Sequence, residues 1–192
     1  MRGSRAGASA RRLASVAVVL LCAALSGCQS NPEPPPLEGA PTSASPSPSP
    51  TEAAPTLPAE AKGTSPASAK AFVRHYFNSL NYAMNSGDVD QFEVLATSGC
   101  QSCRAVAHNI DQTYSAGGEI TSEGWLIQSV SLVPLQPRHR PILDLGVLMT
   151  KERVVATAGA PPKSFRGGKQ PMTIHLVRAN GGWRVERLDR VT

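Results

Sequence analysis

The chain has 192 residues and a mass of 20.2 kDa, enough for one ordinary domain together with accessory segments. Eleven of its 17 prolines lie within residues 32–66, which excludes that segment from a packed core and leaves about 125 residues to fold. The net charge of +5 falls to +1 without Arg2, Arg5, Arg11 and Arg12. A nucleic-acid-binding protein keeps its basic surplus in the folded domain, so the charge predicts no nucleic-acid partner.

The N-terminus has the layout of a secretory signal peptide. Residues 1–12 are basic and contain no acidic residue, and residues 13–25 then run without a charge. A membrane-spanning helix needs about 20 apolar residues, so this run is too short to be an ordinary span. It fits the apolar region of a signal peptide, which is about 7–15 residues long and follows a positive segment. We therefore predict that the protein is exported.

The end of this run, Leu25-Ser26-Gly27-Cys28, resembles the lipobox of bacterial lipoproteins. The resemblance implies a signal peptide over residues 1–27, cleavage between Gly27 and Cys28, and a diacylglyceryl group on the Cys28 thiol. Two acyl chains, such as palmitoyl chains, anchor a protein stably in a membrane, whereas a single chain binds only marginally. The expected location is the extracytoplasmic face of the cell membrane, with the membrane itself as a partner through the lipid anchor.

Residues 28–65 are expected to form a disordered tether. The segment is rich in Pro, Ser and Thr, and it lacks the aromatic residues that would offset the entropy of ordering. Its roughly 37 residues could reach on the order of 110 Å when fully extended. This length predicts a spacer that holds a domain off the membrane. Residues 42–51 also resemble an O-glycosylated stalk, and an unmodified linker is the alternative.

Helical periodicity begins directly after the tether and marks the start of a globular domain over residues 66–192. Ser65 and Pro66 are predicted to begin the first helix as its N-cap and first-turn proline. Gly87 is predicted to end it, because glycine accepts the left-handed conformation found after helices. One face of this helix is apolar and should be buried; it consists of Phe72, Val73, Tyr76, Phe77, Leu80 and Met84.

Two shorter helices are expected next. Asp88 is predicted to cap the second helix, with Gln91 as its capping-box partner. The third helix is predicted to begin at Cys103 and to end at the glycine pair of residues 117–118. From there the apolar period changes from that of a helix to that of a strand.

The second half of the domain is predicted to be an antiparallel meander. Strands are expected over residues 125–133, over residues 143–149 with a bent continuation to Val155, and over residues 172–178. Asn180-Gly181-Gly182 is a strong hairpin signal and should lead into a last strand over residues 183–188. Helices followed by an antiparallel sheet define an α+β fold, with the helices packed on one face of the sheet.

Three segments resemble nuclear-transport-factor-like (cystatin-like) domains. The first helix with its "NSGDVDQFEVLA" turn looks like the opening of such domains, and "GGWRVERL" looks like their last strand. Together with "SGCQSC", the layout also resembles a group of uncharacterised actinobacterial lipoproteins. The resemblance implies a curled, cone-like sheet around the helices. In enzymatic relatives the cone holds a ligand, and in others it is closed or provides a contact surface.

Cys100 and Cys103 form the most conspicuous local motif. A CxxC at the start of a helix is also typical of redox sites, but here a helix and a turn precede it instead of a strand. In an exported protein, two cysteines beside the lipidated one indicate a structural disulfide. We predict that disulfide, with a redox or metal site as the alternatives.

The remaining ionisable residues predict no catalytic, cofactor-binding or metal site. The four histidines are far apart and form no metal-binding pair. The acidic residues nearest to the apolar strand positions are expected to face solvent. The histidines are His75, His108, His139 and His175, and the acidic residues are Glu119, Glu123 and Asp144.

Basic residues in loops and strand ends fit either a weak electrostatic contact surface or ordinary solubilising charge. They are Arg138, Arg140, Lys151, Arg153, Lys163, Arg166 and Lys169. Trp183 is predicted to be a core residue that faces the helices at Phe72, Tyr76 or Phe77.

The function expected from the sequence is that of a non-enzymatic binding or interaction module at the cell surface, without a cofactor. Its partner would be a cell-envelope protein, a wall polymer or a small apolar ligand. The alternative is a cone-type enzyme, similar to an isomerase or hydratase, acting on a small apolar ligand. A cavity of roughly several hundred cubic ångströms that contains an ionisable group would distinguish the enzyme from the binding module.

Overall fold

The structure is a computed structural model that describes residues 53–191. The predicted signal peptide, the Gly27–Cys28 cleavage site and most of the predicted tether lie outside the described residues. No helix within residues 53–191 is both long and apolar enough to cross a membrane. In the last part of the predicted tether, a 3-10 turn at Ala59–Lys62 packs on the domain and buries Ala61.

Three helices form one layer. The first, α1, ends as predicted at Gly87, whose φ is 79°. Its N-terminus is capped by Ser65, whose Oγ accepts a hydrogen bond from the Ser68 amide at 3.1 Å. The helices are α1 (Pro66–Ser86), α2 (Asp90–Glu93) and α3 (Gln101–Ser115).

The starts of the two shorter helices differ from the prediction. Asp88 does not cap α2; its Oδ1 accepts from the Asp90 amide at 3.1 Å, which shapes the turn before the helix. The third helix begins at Gln101, two residues before the predicted start at Cys103. Cys100 is its N-cap, because the Cys100 sulfur accepts from the Cys103 amide at 3.3 Å.

Seven strands form two antiparallel sheets. A four-stranded sheet has the order β2-β3-β6-β7, and a three-stranded sheet has the order β1-β4-β5. The strands are β1 (Glu119–Ser122), β2 (Trp125–Leu132), β3 (Ile142–Met149), β4 (Glu152–Val155), β5 (Lys163–Phe165), β6 (Gly168–Ala179) and β7 (Gly182–Arg190). Register shifts in the β2–β3 and β6–β7 pairs mark bulges, which bend strands and curl the larger sheet.

The predicted continuation of one strand through Val155 is wrong, since β3 ends at Met149 and β4 joins the smaller sheet. The physical cause is that the chain bends at two neighbouring points, between β1 and β2 and between β3 and β4. Gly124, with a φ of 99°, separates β1 from β2, and its carbonyl accepts from the Thr150 amide at 3.1 Å. Asn81 of α1 holds this bend by bonding both the amide and the carbonyl of Trp125.

The core lies between the helices and the inner face of the larger sheet. Inward residues alternate along β3, β6 and β7, as the sequence predicted, and α1 contributes its apolar face. The outer edge of β7 is covered by the segment after α2, where the Val185 amide donates to the Leu95 carbonyl at 2.9 Å. The structure therefore confirms the predicted α+β fold with helices on one face of a curled antiparallel sheet.

Candidate functional site

The space between α1 and the larger sheet, where a cone-type enzyme would bind its substrate, is occupied by large side chains. Tyr76 lies at its centre, with its ring 5.6 Å from that of Phe77 in an edge-to-face arrangement and 5.0 Å from that of Phe92. Phe72 and Trp183 are also buried. Aromatic rings packed at these distances leave a filled interior.

The interior contains few polar groups. Within residues 53–191, the buried polar side chains are Ser68, His75 and Ser79, and no carboxylate is buried. The hydroxyls of Tyr76 and Ser79 have no hydrogen-bond partner in the described part of the chain. Burial raises the pKa of the Tyr76 phenol, so this group stays protonated, and burial lowers the pKa of the His75 imidazole. These hydroxyls and the imidazole are the buried groups that could take part in a reaction.

The acidic residues singled out in the sequence are exposed, as expected. Glu119 pairs with Arg153 at 2.7 Å, and Asp144 accepts from the Thr173 hydroxyl at 3.2 Å. Sequence reasoning overlooked Glu152, which is half-buried in β4, and burial raises the pKa of its carboxyl. The signal for it was available, because Glu152 shares a face of the strand with the apolar Val154.

The histidines stay apart, and residues 53–191 contain no cluster of three or more potential metal ligands. His75 is buried in α1, whereas His108 and His139 are exposed. His175 lies 2.9 Å from the Arg187 guanidinium and 3.6 Å from the Asp189 carboxylate. Burial, followed by the charge of Arg187, lowers the pKa of His175.

Cys100 and Cys103 are joined in a disulfide, and both are buried. The bond spans the turn from the N-cap of α3 into its first turn. Ser102, between the two cysteines, donates its hydroxyl to the Leu188 carbonyl at 2.9 Å and so connects this turn to β7. The disulfide thus closes the turn at the start of α3, and the Ser102 hydrogen bond attaches this turn to the edge of the larger sheet.

A shallow groove between α2 and α3 adjoins the disulfide. It has a volume of about 320 Å³ and a largely apolar lining, with Cys103 in its wall. Val94 belongs to this lining, and 58 % of its surface is exposed. Glu93 and Arg104 are the charged residues of the lining.

A second opening, of about 490 Å³, lies at the start of α1. Its lining contains three basic side chains and no acidic one: Thr64, Ser65, Pro66, Arg138, His139 and Arg178. The Arg178 guanidinium is held in place, since it donates to the Gly63 carbonyl at 3.1 Å and to the Gly181 carbonyl at 2.9 Å. We refer to this opening as the basic cleft.

These features are those of an α+β fold with helices on one face of a curled antiparallel sheet, and solved structures with a cystatin-like fold are among the proteins that it resembles. It is similar in fold to the intermembrane space region of the chloroplast protein ARC6, with a TM-score of 0.49, 8 % identity, and coverage of 65 % of this chain and 94 % of that chain. It is also similar to an NTF2-like protein with a cystatin-like fold from Novosphingobium aromaticivorans, with a TM-score of 0.39, 13 % identity, and coverage of 63 % and 79 %. An uncharacterized protein with a cystatin-like fold from Caulobacter vibrioides gives a TM-score of 0.41, 12 % identity, and coverage of 65 % and 87 %. These likenesses concern the fold alone.

The family follows from the sequence. A family of unknown function, DUF6318, matches residues 43–189, which is most of the chain, and the protein belongs to this family. No curated protein matches the sequence.

Proposed function

We propose that this protein is a lipid-anchored surface protein whose folded domain is a non-enzymatic binding module. The observation that carries the binding role is the filled interior. Packed aromatic rings around Tyr76 occupy the position where a cone-type enzyme holds its substrate, and no carboxylate is buried within residues 53–191. Binding then takes place on the outside of the domain, where exposed apolar surface marks interaction sites.

The anchor is proposed from the N-terminal sequence. A positive segment, a short apolar run and Leu25-Ser26-Gly27-Cys28 together favour lipidation of Cys28. The Pro-rich segment that follows would give the domain reach into the cell envelope on the extracytoplasmic side.

The groove between α2 and α3 is the binding site that we propose. Its apolar lining and volume of about 320 Å³ suit a small apolar ligand, and the exposed Val94 provides additional contact area. Of the two charged side chains in the lining, Arg104 would pair with an anionic group of the ligand, and Glu93 would oppose it. The disulfide keeps the groove wall rigid, which lowers the entropy cost of binding.

An alkyl diazirine carboxylate, crosslinked by light to the full chain in its own membranes, tests the proposal. We expect crosslinks within residues 92–104 and an approximately tenfold loss of them in Val94→Asp, since a charge in the groove opposes an apolar, anionic ligand. Val191→Asp is the matched control, because Val191 is a valine of similar exposure (48 %) outside the groove lining, and it should be labelled like the wild type. Crosslinks spread evenly along the chain, or equal loss in both variants, would contradict a binding site here.

A separate variant tests the lipid anchor in the same cells. With Cys28→Ala, incorporation of a labelled palmitate should disappear and the precursor should keep residues 1–27. Palmitate labelling that persists in this variant would exclude Cys28 as the lipidation site.

The rival function is a cone-type enzyme, and the unpartnered hydroxyls of Tyr76 and Ser79 are the observation in its favour. They could orient a small polar group if the interior opened. Turnover of a small apolar substrate that is lost in Tyr76→Phe, with the melting temperature retained, would favour the enzyme over the binding module.

A further inference from the structure

The loop between β2 and β3 exposes a leucine in an unusual conformation. Leu135 is fully exposed and has a φ of 62°, a left-handed conformation that non-glycine residues rarely adopt. Pro134 and Pro137 flank this tip and restrict the backbone on both sides. Both the left-handed conformation and the exposure of the apolar side chain are energetically unfavourable. Residues with such features cluster at binding surfaces.

The loop that carries Leu135 also contributes to the basic cleft. Gln136 and Arg138 of this loop line a small opening together with Thr64, Ser65 and Pro66, and these three residues and Arg138 also line the basic cleft. Leu135 therefore directly precedes, in the chain, the loop residues that line these openings. We call this set of residues the tip surface; it consists of Leu135, Arg138, His139 and Arg178.

The positive charge of the tip surface is not neutralised within the described residues. Arg138 and Arg178 form no ion pair there, and the lining of the cleft includes no carboxylate. Arg140, by contrast, is paired with Glu186 and does not contribute. Arg178 is also pre-ordered, because its guanidinium lies 5.0 Å from the centre of the Trp183 ring and bonds two backbone carbonyls. Two guanidiniums in the lining of one cleft supply the positive charge that attracts a phosphate group.

The tip surface includes the start of the first helix, because residues 64–66 form one wall of the cleft. A chain anchored through Cys28 would keep the domain, and this surface with it, at high local concentration near the membrane.

We propose that the tip surface docks on an anionic membrane, with Leu135 entering the lipid interface and the arginines of the cleft binding lipid phosphates. The inference rests on the proposed anchor, which keeps the membrane at high local concentration. An apolar anchor beside basic groups is the combination that binds anionic interfaces, because burial of the leucine and attraction to the lipid charge add to one another. The tether would then allow two positions of the domain, docked on the membrane and extended from it.

Hydrogen exchange on the full, lipid-modified chain in vesicles tests this proposal. Phosphatidylcholine vesicles are compared with vesicles containing about 30 % phosphatidylglycerol, and amide exchange is followed in residues 133–141. We expect exchange there to slow at least about fivefold on the anionic vesicles at low salt, and the effect to disappear at high salt. Arg138→Glu and Leu135→Ser should each abolish the slowing.

Arg166→Glu is the matched control for charge. It makes the same change in an exposed loop next to the smaller sheet, which adjoins the far end of α1, because Tyr114 bonds both Met84 and Ile120 there. This variant should dock like the wild type. Melting temperatures of all variants show that the domain is folded, and the intact mass of the chain reports lipidation of Cys28 separately from docking.

Three outcomes would overturn the proposal. Equal exchange on both kinds of vesicle, or equal loss in Arg166→Glu, would show that no specific surface docks on the membrane. Slowing produced by inorganic phosphate on neutral vesicles would make the cleft a site for a small free anion. Slowing seen in native membranes but not on lipid vesicles would assign the tip surface to an envelope protein instead.

Discussion

At the scale of single residues, Trp183 shows how one side chain ties the sheet to the first helix. It is 2 % exposed, as predicted, and it belongs to the same buried core as Phe72, Tyr76 and Phe77. Its polar contact is with the start of α1. Its indole Nε1 donates to the Ser68 hydroxyl at 3.2 Å, and that hydroxyl donates to the Ser65 carbonyl at 2.8 Å. The tryptophan therefore supports both the core and the N-terminal cap of α1.

Trp183→Ala should destabilise the domain by about 3–5 kcal/mol, because it removes a buried aromatic side chain and leaves the Ser68 hydroxyl with one partner fewer. A domain of this size has about 5–15 kcal/mol of stability, so the melting temperature should fall sharply. Thermal unfolding followed by circular dichroism measures it. Trp125→Ala is the control, since Trp125 is only half-buried and should cost less. A Trp183→Ala domain that melts like the wild type but loses a ligand would place Trp183 in a binding site.

At the scale of elements, the turn at the start of α3 is stabilised in two separate ways, by a disulfide and by a helix cap. Cys100 crosslinks to Cys103, and it also caps α3 by accepting from the Cys103 amide. The segment just before it pairs with β7, where the Thr97 amide donates to the Val185 carbonyl at 2.8 Å. The start of α3 is thus attached to the sheet before the crosslink, at Thr97, and within it, at Ser102.

Replacing both cysteines by serine should cost about 2 kcal/mol or less, because so short a crosslinked loop removes little entropy from the unfolded chain. Serine at position 100 can still cap the helix. The double alanine variant loses the cap as well and should cost about 1 kcal/mol more. Urea unfolding of both variants separates the two contributions. Equal stability of the serine and alanine variants would mean that Cys100 contributes no cap.

At the scale of the whole molecule, buried ionisable groups connect stability to pH. Burial lowers the pKa of His75, and burial with the charge of Arg187 lowers that of His175. Burial raises the pKa of Glu152. The histidines and the glutamate therefore act in opposite directions and in different pH ranges.

A histidine with a lowered pKa binds fewer protons in the folded state than in the unfolded state, so the free energy of unfolding rises with pH around 6.5. We expect the protein to lose stability as the pH falls below that value, and His75→Gln to reduce the loss. For a glutamate with a raised pKa, the free energy of unfolding changes with pH in the opposite direction. Glu152→Gln should therefore stabilise the protein at neutral pH but not below pH 4.5. Urea unfolding across this range measures both slopes. An unchanged slope in His75→Gln would show that its imidazole is not responsible.

The features that depend on neighbouring residues could be predicted from the amino-acid sequence alone. The cap at Ser65, the glycine stop at Gly87 and the hairpin turn follow from local backbone preferences, and Asn180 and Gly181 both have the positive φ that this turn requires. The alternation of apolar residues was likewise sufficient to predict the inner face of the larger sheet. Together these signals fixed the α+β class, since period and caps are properties of short segments.

Features that depend on residues distant in the chain could not be predicted without the folded structure. The two sheets separate at the bend between β1 and β2, where Asn81 of α1 bonds the backbone of Trp125, a residue 44 positions away in the sequence. The filling of the cone also depends on how rings from separate helices meet, as Tyr76 and Phe92 do. The tip surface joins the start of α1, a loop and the end of β6, so its charge and shape exist only once these segments have been brought together by folding.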